Sequence, residues 1–96
     1  MCGIFRAINF KNQFSEKEHT LFSNSLNAIT HRGPDNQSHY HTFNESTKTD
    51  VFLGHRRLSI IDLSEGANQP FIDDDLILIF NGEIFNYLEL QKEYFP

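Results

Sequence analysis

Residues 38–53, SHYHTFNESTKTDVFL, decide the fold class of this 96-residue chain. Residues 38–43 and 50–53 have side-chain patterns of period two and predict two strands, and the polar residues 44–49 between them predict a turn. Neighbouring strands joined by a short turn pair in the antiparallel sense. We therefore expect a sheet built around this strand pair.

The segment before this pair predicts one more strand and a helix. Residues 3–10, GIFRAINF, are apolar and rich in strand formers. Ser15 and Glu18 have the spacing of a capping box, which marks a helix start. Gly33 and Pro34 end that helix, since neither continues one. The apolar stripe expected to face the core is Leu21, Phe22, Leu26 and Ile29.

The segment after the pair predicts a further strand and a second helix. Residues 57–63 continue as an extended segment, and residues 64–70 have loop composition. Three aspartates predict a turn before residues 76–80, LILIF, an apolar run that predicts a strand buried on both faces. Residues 84–94 predict a helix. The fold class is therefore α+β, with layered antiparallel sheet and a helix on an outer face.

Composition excludes several classes of protein. The formal net charge is -5 and the basic residues are dispersed, which argues against nucleic-acid binding. No apolar run approaches the roughly 20 residues that span a bilayer, and no signal-peptide core follows Met1, so we expect no membrane partner and a cytoplasmic location. His39 and His41 would share one face of a strand, but no third ligand stands near them in the sequence, so no metal site is predicted.

The cysteine at position 2 is the most informative residue. The residue after it is small, and removal of Met1 would make Cys2 the N-terminal residue. The ordinary pKa values of a thiol and an α-amine differ by less than one unit, so the amine can accept the thiol proton near neutral pH. Such a residue is both nucleophile and base. The alternative is that a cysteine stands at this position by chance.

Three other positions could serve such a nucleophile. Asn81 and Gly82 follow the apolar run and could donate hydrogen bonds to an oxyanion, from the Asn amide and from an unhindered Gly N–H. Alternatively, Asn-Gly is a strong signal for a tight hairpin turn. Arg57 could grip a substrate carboxylate bidentately, and Glu83 could accept from an ammonium group. Each of these charges could equally be an ordinary surface residue.

Four motifs resemble one family in order and spacing. Residues 1–5, MCGIF, resemble the start of class II glutamine amidotransferases. Residues 31–35, HRGPD, residues 57–62, RLSIID, and residues 81–86, NGEIFN, resemble the further motifs of the asparagine synthetase branch. The resemblance covers essentially the whole chain.

The resemblance implies a fold and a reaction. The fold would be an N-terminal-nucleophile hydrolase αββα sandwich of two antiparallel sheets. Cys2 would attack the carboxamide of L-glutamine, Asn81 and Gly82 would form the oxyanion hole, and Glu83 would face the substrate ammonium. Substrate would lie along Arg57, Leu58 and Ile60. No cofactor is implied for this chain, because ATP and Mg²⁺ belong to the family's C-terminal synthetase domain, which forms asparagine from aspartate and the ammonia.

The resemblance also implies that the family's glutaminase domain continues beyond residue 96. We therefore expect residues 1–96 to be the N-terminal part of such a domain, a truncated form with weak or no activity, completed by the synthetase domain or by a partner chain. Unpaired sheet edges would favour association, and a homodimer is one such assembly. Arg6 stands where the family has Gly and could crowd the site. The alternative function is a non-catalytic remnant that acts as a binding or structural module.

Overall fold

A computed structural model of the protein describes residues 2–59 and 65–96, which form a small α+β structure with antiparallel sheets. This confirms the predicted α+β class with antiparallel sheet. Its elements are β1 Gly3–Asn9, α1 Glu16–Ala28, β2 Asn36–Asn44, β3 Thr49–Arg57, a 3₁₀ turn Glu65–Ala67, β4 Phe71–Asp73, β5 Leu76–Leu78 and α2 Tyr87–Tyr94.

The first three strands form one sheet in the order β1-β3-β2, so β3 is central. Gly3 lies opposite Arg56 of β3, and Asn36 of β2 lies opposite Arg57. Successive side chains of a strand point to opposite faces. The register therefore fixes which side chains of all three strands share a face.

Helix α1 covers one face of this sheet. The capping box is present, since Ser15 Oγ accepts from the Glu18 N–H at 3.1 Å and Glu18 Oε1 accepts from the Ser15 N–H at 3.0 Å. Leu26 is fully buried over Gly54, where an added Cβ would stand 2.7 Å from the leucine side chain. The predicted stripe is wrong at Leu21, which is 54% exposed. The helix stripe facing a three-stranded sheet is narrow, and Leu21 falls outside it.

Phenylalanine rings supply much of the core beneath α1. Phe22 lies 5.5 Å from Phe5, 4.7 Å from Phe14 and 5.1 Å from Phe52, measured between ring centroids. Phe52, on the central strand, is 2% exposed. Tilted and edge-on ring pairs of this kind add to the stabilisation from burial.

The second sheet is the hairpin β4–β5, and the prediction that residues 76–80 are buried on both faces is wrong. Leu76 is 74% exposed and Leu78 is 54% exposed. The apolar run pairs with three-residue β4, which the sequence analysis did not predict, across a turn in which Asp74 has φ 46°. A two-stranded hairpin cannot bury both faces without further layers. A cavity of about 540 Å³ lies between β5 and the first sheet, lined by Ile4, Arg6, Leu53, Ile77, Leu78 and Ile79.

The remaining segments differ from their predictions in length. Helix α2 begins at Tyr87 rather than at residue 84, and none of its residues is buried. Strand β3 ends at Arg57, the first residue of the predicted extended segment 57–63. Residues 58 and 59 follow the strand, and residues 60–63 lie outside the described part of the chain. Within the described ranges, no helix has both the length and the apolar character needed to cross a membrane.

Candidate functional site

Cys2 lies beside the first residue after β3. Its Sγ accepts from the Leu58 backbone N–H at 3.4 Å and lies 3.9 Å from the Leu58 carbonyl oxygen. The Cys2 carbonyl accepts from Arg32 Nε at 3.1 Å. The half-buried thiol is thus fixed against the backbone at one end of the central strand.

Arg57 stands at the end of β3, next to Leu58, and is only 6% exposed. Its Nη1 donates to Asn68 Oδ1 at 2.8 Å. A buried guanidinium needs partners for its donors, and Asn68 supplies one of them. Arg57 is therefore not an ordinary surface charge, which was the alternative that the sequence left open.

The turn after α1 locks onto the same end of β3. The Asp35 N–H donates to the Arg57 carbonyl at 2.9 Å, and Asp35 Oδ2 accepts from the Ser59 N–H at 2.7 Å. Arg56 Nε donates to the Gly33 carbonyl at 2.9 Å. The motif HRGPD therefore braces the segment that carries Arg57 and Leu58.

Gly33 is required here by close approach. A Cβ on Gly33 would stand 2.3 Å from the carbonyl carbon and oxygen of Arg56 and 2.6 Å from the nitrogen of Arg57. Among the described glycines none has a positive φ. Glycine is therefore required at position 33 by the lack of space for a side chain and not by its backbone conformation.

The residue before Asn81 is held from two sides. The Phe80 N–H donates to Gln69 Oε1 at 2.6 Å, and the Phe80 carbonyl lies 3.2 Å from His55 Nε2. Ser38 Oγ donates to the Gln69 carbonyl. Asn68 and Gln69 thus connect the end of β3 to the segment that enters Asn81 and Gly82.

His55 is a fully buried histidine at this junction. Burial lowers the pKa of His55 and is the largest influence on it, the Phe80 carbonyl raises it, and the Arg57 charge lowers it. Within the part of the chain that the structure describes, His55 Nδ1 has no hydrogen-bond partner. The neutral ring with its proton on Nε2 fits this arrangement, because that nitrogen can then donate to Phe80.

The structure brings some of the predicted site residues together and leaves others apart. Cys2, Arg57 and Leu58 meet at one end of β3, whereas Ile60 lies outside the described residues. Asn81 is half-buried, and Gly82 and Glu83 are exposed. No hydrogen bond within residues 2–59 and 65–96 joins Cys2 to residues 81–83.

The hairpin alternative for Asn81-Gly82 is wrong. The pair lies after β5, and the next element is helix α2 rather than a strand. Gly82 does not have the positive φ that the favoured two-residue Asn-Gly hairpin turn needs at its second position. The oxyanion role stays a prediction.

Three residues that hold the site together were not predicted from the sequence: Asn68, Gln69 and His55. Residues 64–70 were recognised only as a loop by composition, and nothing local indicates that two consecutive amides in that loop contact residues 11 positions away on either side. His55 gave a weak signal, since it follows the apolar residues 51–53 of a predicted strand, and a histidine must find a partner when it is buried.

Comparison with known proteins supports one family. The family model described as a glutamine amidotransferase domain matches residues 1–95. The glutamine-hydrolysing asparagine synthetase 1 of Bacillus subtilis is 38% identical over 97 residues, which cover 97% of this chain and 14% of that protein. The glutamine-hydrolysing asparagine synthetase 2 of Lotus japonicus is 36% identical over 96 residues, covering 97% and 15%.

The chain spans a fifth or less of the length of these and other curated relatives, such as one from Methanocaldococcus jannaschii of which it covers 20%. No solved structure matches the chain significantly.

Proposed function

Because the chain belongs to the glutamine amidotransferase domain family, we propose that it carries the glutamine-hydrolysing site of an asparagine-synthetase-type enzyme, with Cys2 as the nucleophile. The observation that carries the proposal is the position of the Cys2 thiol. Its Sγ lies 3.4 Å from the Leu58 nitrogen, directly after the buried Arg57. A nucleophile and a carboxylate-binding cation are thus held on adjacent backbone by the pairing of β1 with β3.

The proposed reaction begins when Met1 is removed and the α-amine of Cys2 is free. The amine takes the thiol proton, and the thiolate sulfur attacks the carboxamide carbon of glutamine. The C–N bond breaks, the nitrogen leaves as ammonia with the proton returned by the amine, and a glutamyl thioester remains. Water then cleaves the thioester to glutamate and restores the thiol.

Asn81 and Gly82 are the proposed donors to the oxyanion of the tetrahedral intermediates. Loss of one such donor typically lowers the rate by about 100- to 1000-fold. The hydrogen bonds of Phe80 to Gln69 and His55 support this role, because they fix the backbone that enters the pair. Glu83 is the proposed acceptor for the substrate ammonium, and Arg57, Leu58 and Ile60 the proposed substrate contacts.

The wider setting of the site is also a proposal. The fold would be completed as an αββα sandwich of the N-terminal-nucleophile hydrolase type, and the ammonia would pass to an ATP-dependent synthetase domain that forms asparagine from aspartate. The curated relatives, whose names describe glutamine-hydrolysing asparagine synthetases, are the support for this.

Covalent labelling tests the nucleophile without requiring turnover. The chain with Met1 removed is incubated with an electrophilic glutamine analogue that carries a diazoketone in place of the carboxamide, and the adduct is located by mass spectrometry. We expect one adduct, on Cys2, which excess glutamine prevents and excess asparagine does not. Cys2→Ala should give no adduct.

Matched substitutions test whether Arg57 binds the substrate carboxylate. Arg57→Lys should weaken protection by glutamine at least about 10-fold, because one ammonium replaces a bidentate guanidinium. Lys17→Arg, a charge-conserving change at an exposed residue of α1, should leave the protection unchanged. Absence of glutamine-protected labelling on a folded chain would instead support the non-catalytic remnant.

A further inference from the structure

A cluster of two histidines and one aspartate lies on the α1 side of the sheet. His19 belongs to α1, His41 to β2 and Asp50 to β3, and one ligand atom of each lies within 4.8 Å of the others. The rings of His19 and His41 are edge-on with centroids 4.6 Å apart. Three elements far apart in sequence therefore converge on one point.

The carboxylate in this cluster is buried and already oriented. The Asp50 side chain is 1% exposed, its Oδ2 accepts from the Phe14 N–H at 2.8 Å, and its Oδ1 lies 2.5 Å from His41 Nε2. A buried carboxylate is stable only when it is paired and hydrogen-bonded. Asp50 thus offers Oδ1 to a cationic partner while Phe14 fixes the group through Oδ2.

We propose that His19, His41 and Asp50 form a binding site for a divalent transition ion of the zinc class. Two imidazoles and a carboxylate are one of the ligand sets of zinc sites with three protein ligands, which leave a fourth position for water. An imidazole-rich set selects such ions over Mg²⁺ and Ca²⁺, which prefer oxygen ligands. The ion takes the place of the hydrogen between His41 and Asp50.

The distances allow this with small side-chain rotations. Bonds of about 2.0–2.2 Å in a tetrahedral site place ligand atoms about 3.3–3.6 Å apart. The 2.5 Å contact must therefore widen and the widest separation of up to 4.8 Å must narrow. His19 stands in the first turn of α1 and is half-buried, so its ring is not enclosed on every side.

The surroundings of the cluster have the other features of a metal site. A ligating carboxylate is normally hydrogen-bonded by an outer group, as Asp50 is by Phe14, and an apolar shell limits water. Phe14, Phe22 and Phe52 form that shell around His19, with ring centroids 5.9, 5.9 and 6.2 Å away. His41 is 36% exposed and provides the entry path.

The proposed site differs from the expectation drawn from the sequence, which was that no metal site is present. The H-x-H pair suggested His39 and His41 as partners on one strand face, but His39 stacks on Phe52 with centroids 4.9 Å apart and is not part of the cluster. His19 and Asp50 are 22 residues before and 9 residues after His41, and only the packing of α1 on β2 and β3 makes them its partners.

Co²⁺ titration followed by visible absorption tests the site on the full chain. We expect a tetrahedral d–d spectrum, displaced by Zn²⁺, with binding at least about 10-fold weaker in His19→Gln and in His41→Gln. His39→Gln is the matched control and should bind as the unmodified chain does. Cys2→Ser should also bind normally, which separates this site from a metal held by the N-terminal thiol.

Side-chain ¹⁵N shifts of the histidines give a second readout that needs no variant. Addition of one equivalent of Zn²⁺ should move the ring nitrogens of His19 and His41 and leave those of His31 and His39 in place. Binding that survives in His19→Gln and His41→Gln, shifts spread over all the histidines, or no binding at all would each overturn the proposal and leave His41–Asp50 as a hydrogen-bonded pair.

Discussion

Gly33→Ala should destabilise the protein far more than an ordinary Gly→Ala change. The added Cβ would stand 2.3 Å from the Arg56 carbonyl carbon and oxygen, whereas carbon atoms pack best at about 3.5–4.0 Å. The two backbones must separate by about 1 Å. Arg56 cannot yield easily, because it lies in the central strand between Gly3 and Gln37.

The magnitude follows from the interactions that the separation breaks. Overpacking costs about 1–3 kcal/mol. The separation would also stretch two hydrogen bonds of 2.9 Å, from Arg56 Nε to the Gly33 carbonyl and from the Asp35 N–H to the Arg57 carbonyl. Each stretched bond costs about 1 kcal/mol of stability. A smaller backbone entropy of the unfolded chain offsets about 0.4–1 kcal/mol. We expect a net loss of roughly 2–4 kcal/mol.

Urea denaturation followed by circular dichroism measures this loss. The midpoint should fall while the slope stays constant, since the surface exposed on unfolding is unchanged. Gly82→Ala is the matched control, because its Cβ would meet only the end of the Phe80 ring at 3.1 Å, and it should lose less than about 1 kcal/mol. Equal losses in the two variants would refute the argument from close approach, as would a stable Gly33→Ala.

Two further predictions concern pH and helix capping. Because burial lowers the pKa of His55 below its ordinary value of 6.5, the unfolded chain binds the proton first as pH falls, so the free energy of unfolding should be constant above that pH and fall below it. Urea denaturation between pH 5 and 8 should show that the free energy of unfolding depends less on pH in His55→Gln than in the unmodified chain. The same pH dependence in both proteins would contradict this prediction. Ser15→Ala should lower the free energy of unfolding by about 1 kcal/mol, since it removes the capping box of α1. Thermal unfolding measures this loss, with Ser46→Ala in the β2–β3 turn as the control. Equal losses in the two variants would contradict a stabilising role of the cap.

The elements that the sequence predicted well are those whose signals are local. The capping box at Ser15 and Glu18 and the alternation along β2 act within a few residues, and both are present in the structure. The alternation did not reveal the full length of the strands. Strand β3 runs from Thr49 to Arg57, because pairing on both sides extends it beyond its apolar residues.

The features that could not be predicted depend on layers and on distant contacts. The run at 76–80 is apolar enough for a buried strand, but composition cannot say whether two layers cover it, and in the described structure Leu76 and Leu78 are exposed. Likewise, Cys2, Arg57, Asn81, Gly82 and Glu83 could be singled out as chemistry-bearing residues. The contact of Cys2 with Leu58 could not, because it spans 56 positions.

The register of one strand pair explains why the chemistry-bearing residues divide between two faces. Gly3 is opposite Arg56, Ile4 is opposite His55 and Asn9 is opposite Asp50. Because side chains alternate, His55 and Ile4 point away from α1, and the same alternation carried one residue further places Cys2 and Arg57 on that side.

The residues of the proposed metal site lie on the opposite face of the same sheet. Asp50 and, across β2, His41 point toward α1, where His19 completes the group.

A slip of one residue between β1 and β3 would turn Cys2 toward the helix and separate it from Leu58. Two features prevent β3 from sliding relative to the turn after α1. One is the close approach of Gly33 to Arg56, and the other is the pair of hydrogen bonds that join Asp35 to Arg57 and Ser59. The HRGPD motif thus contributes to the proposed glutaminase site without touching the thiol, by fixing the backbone against which Cys2 is held.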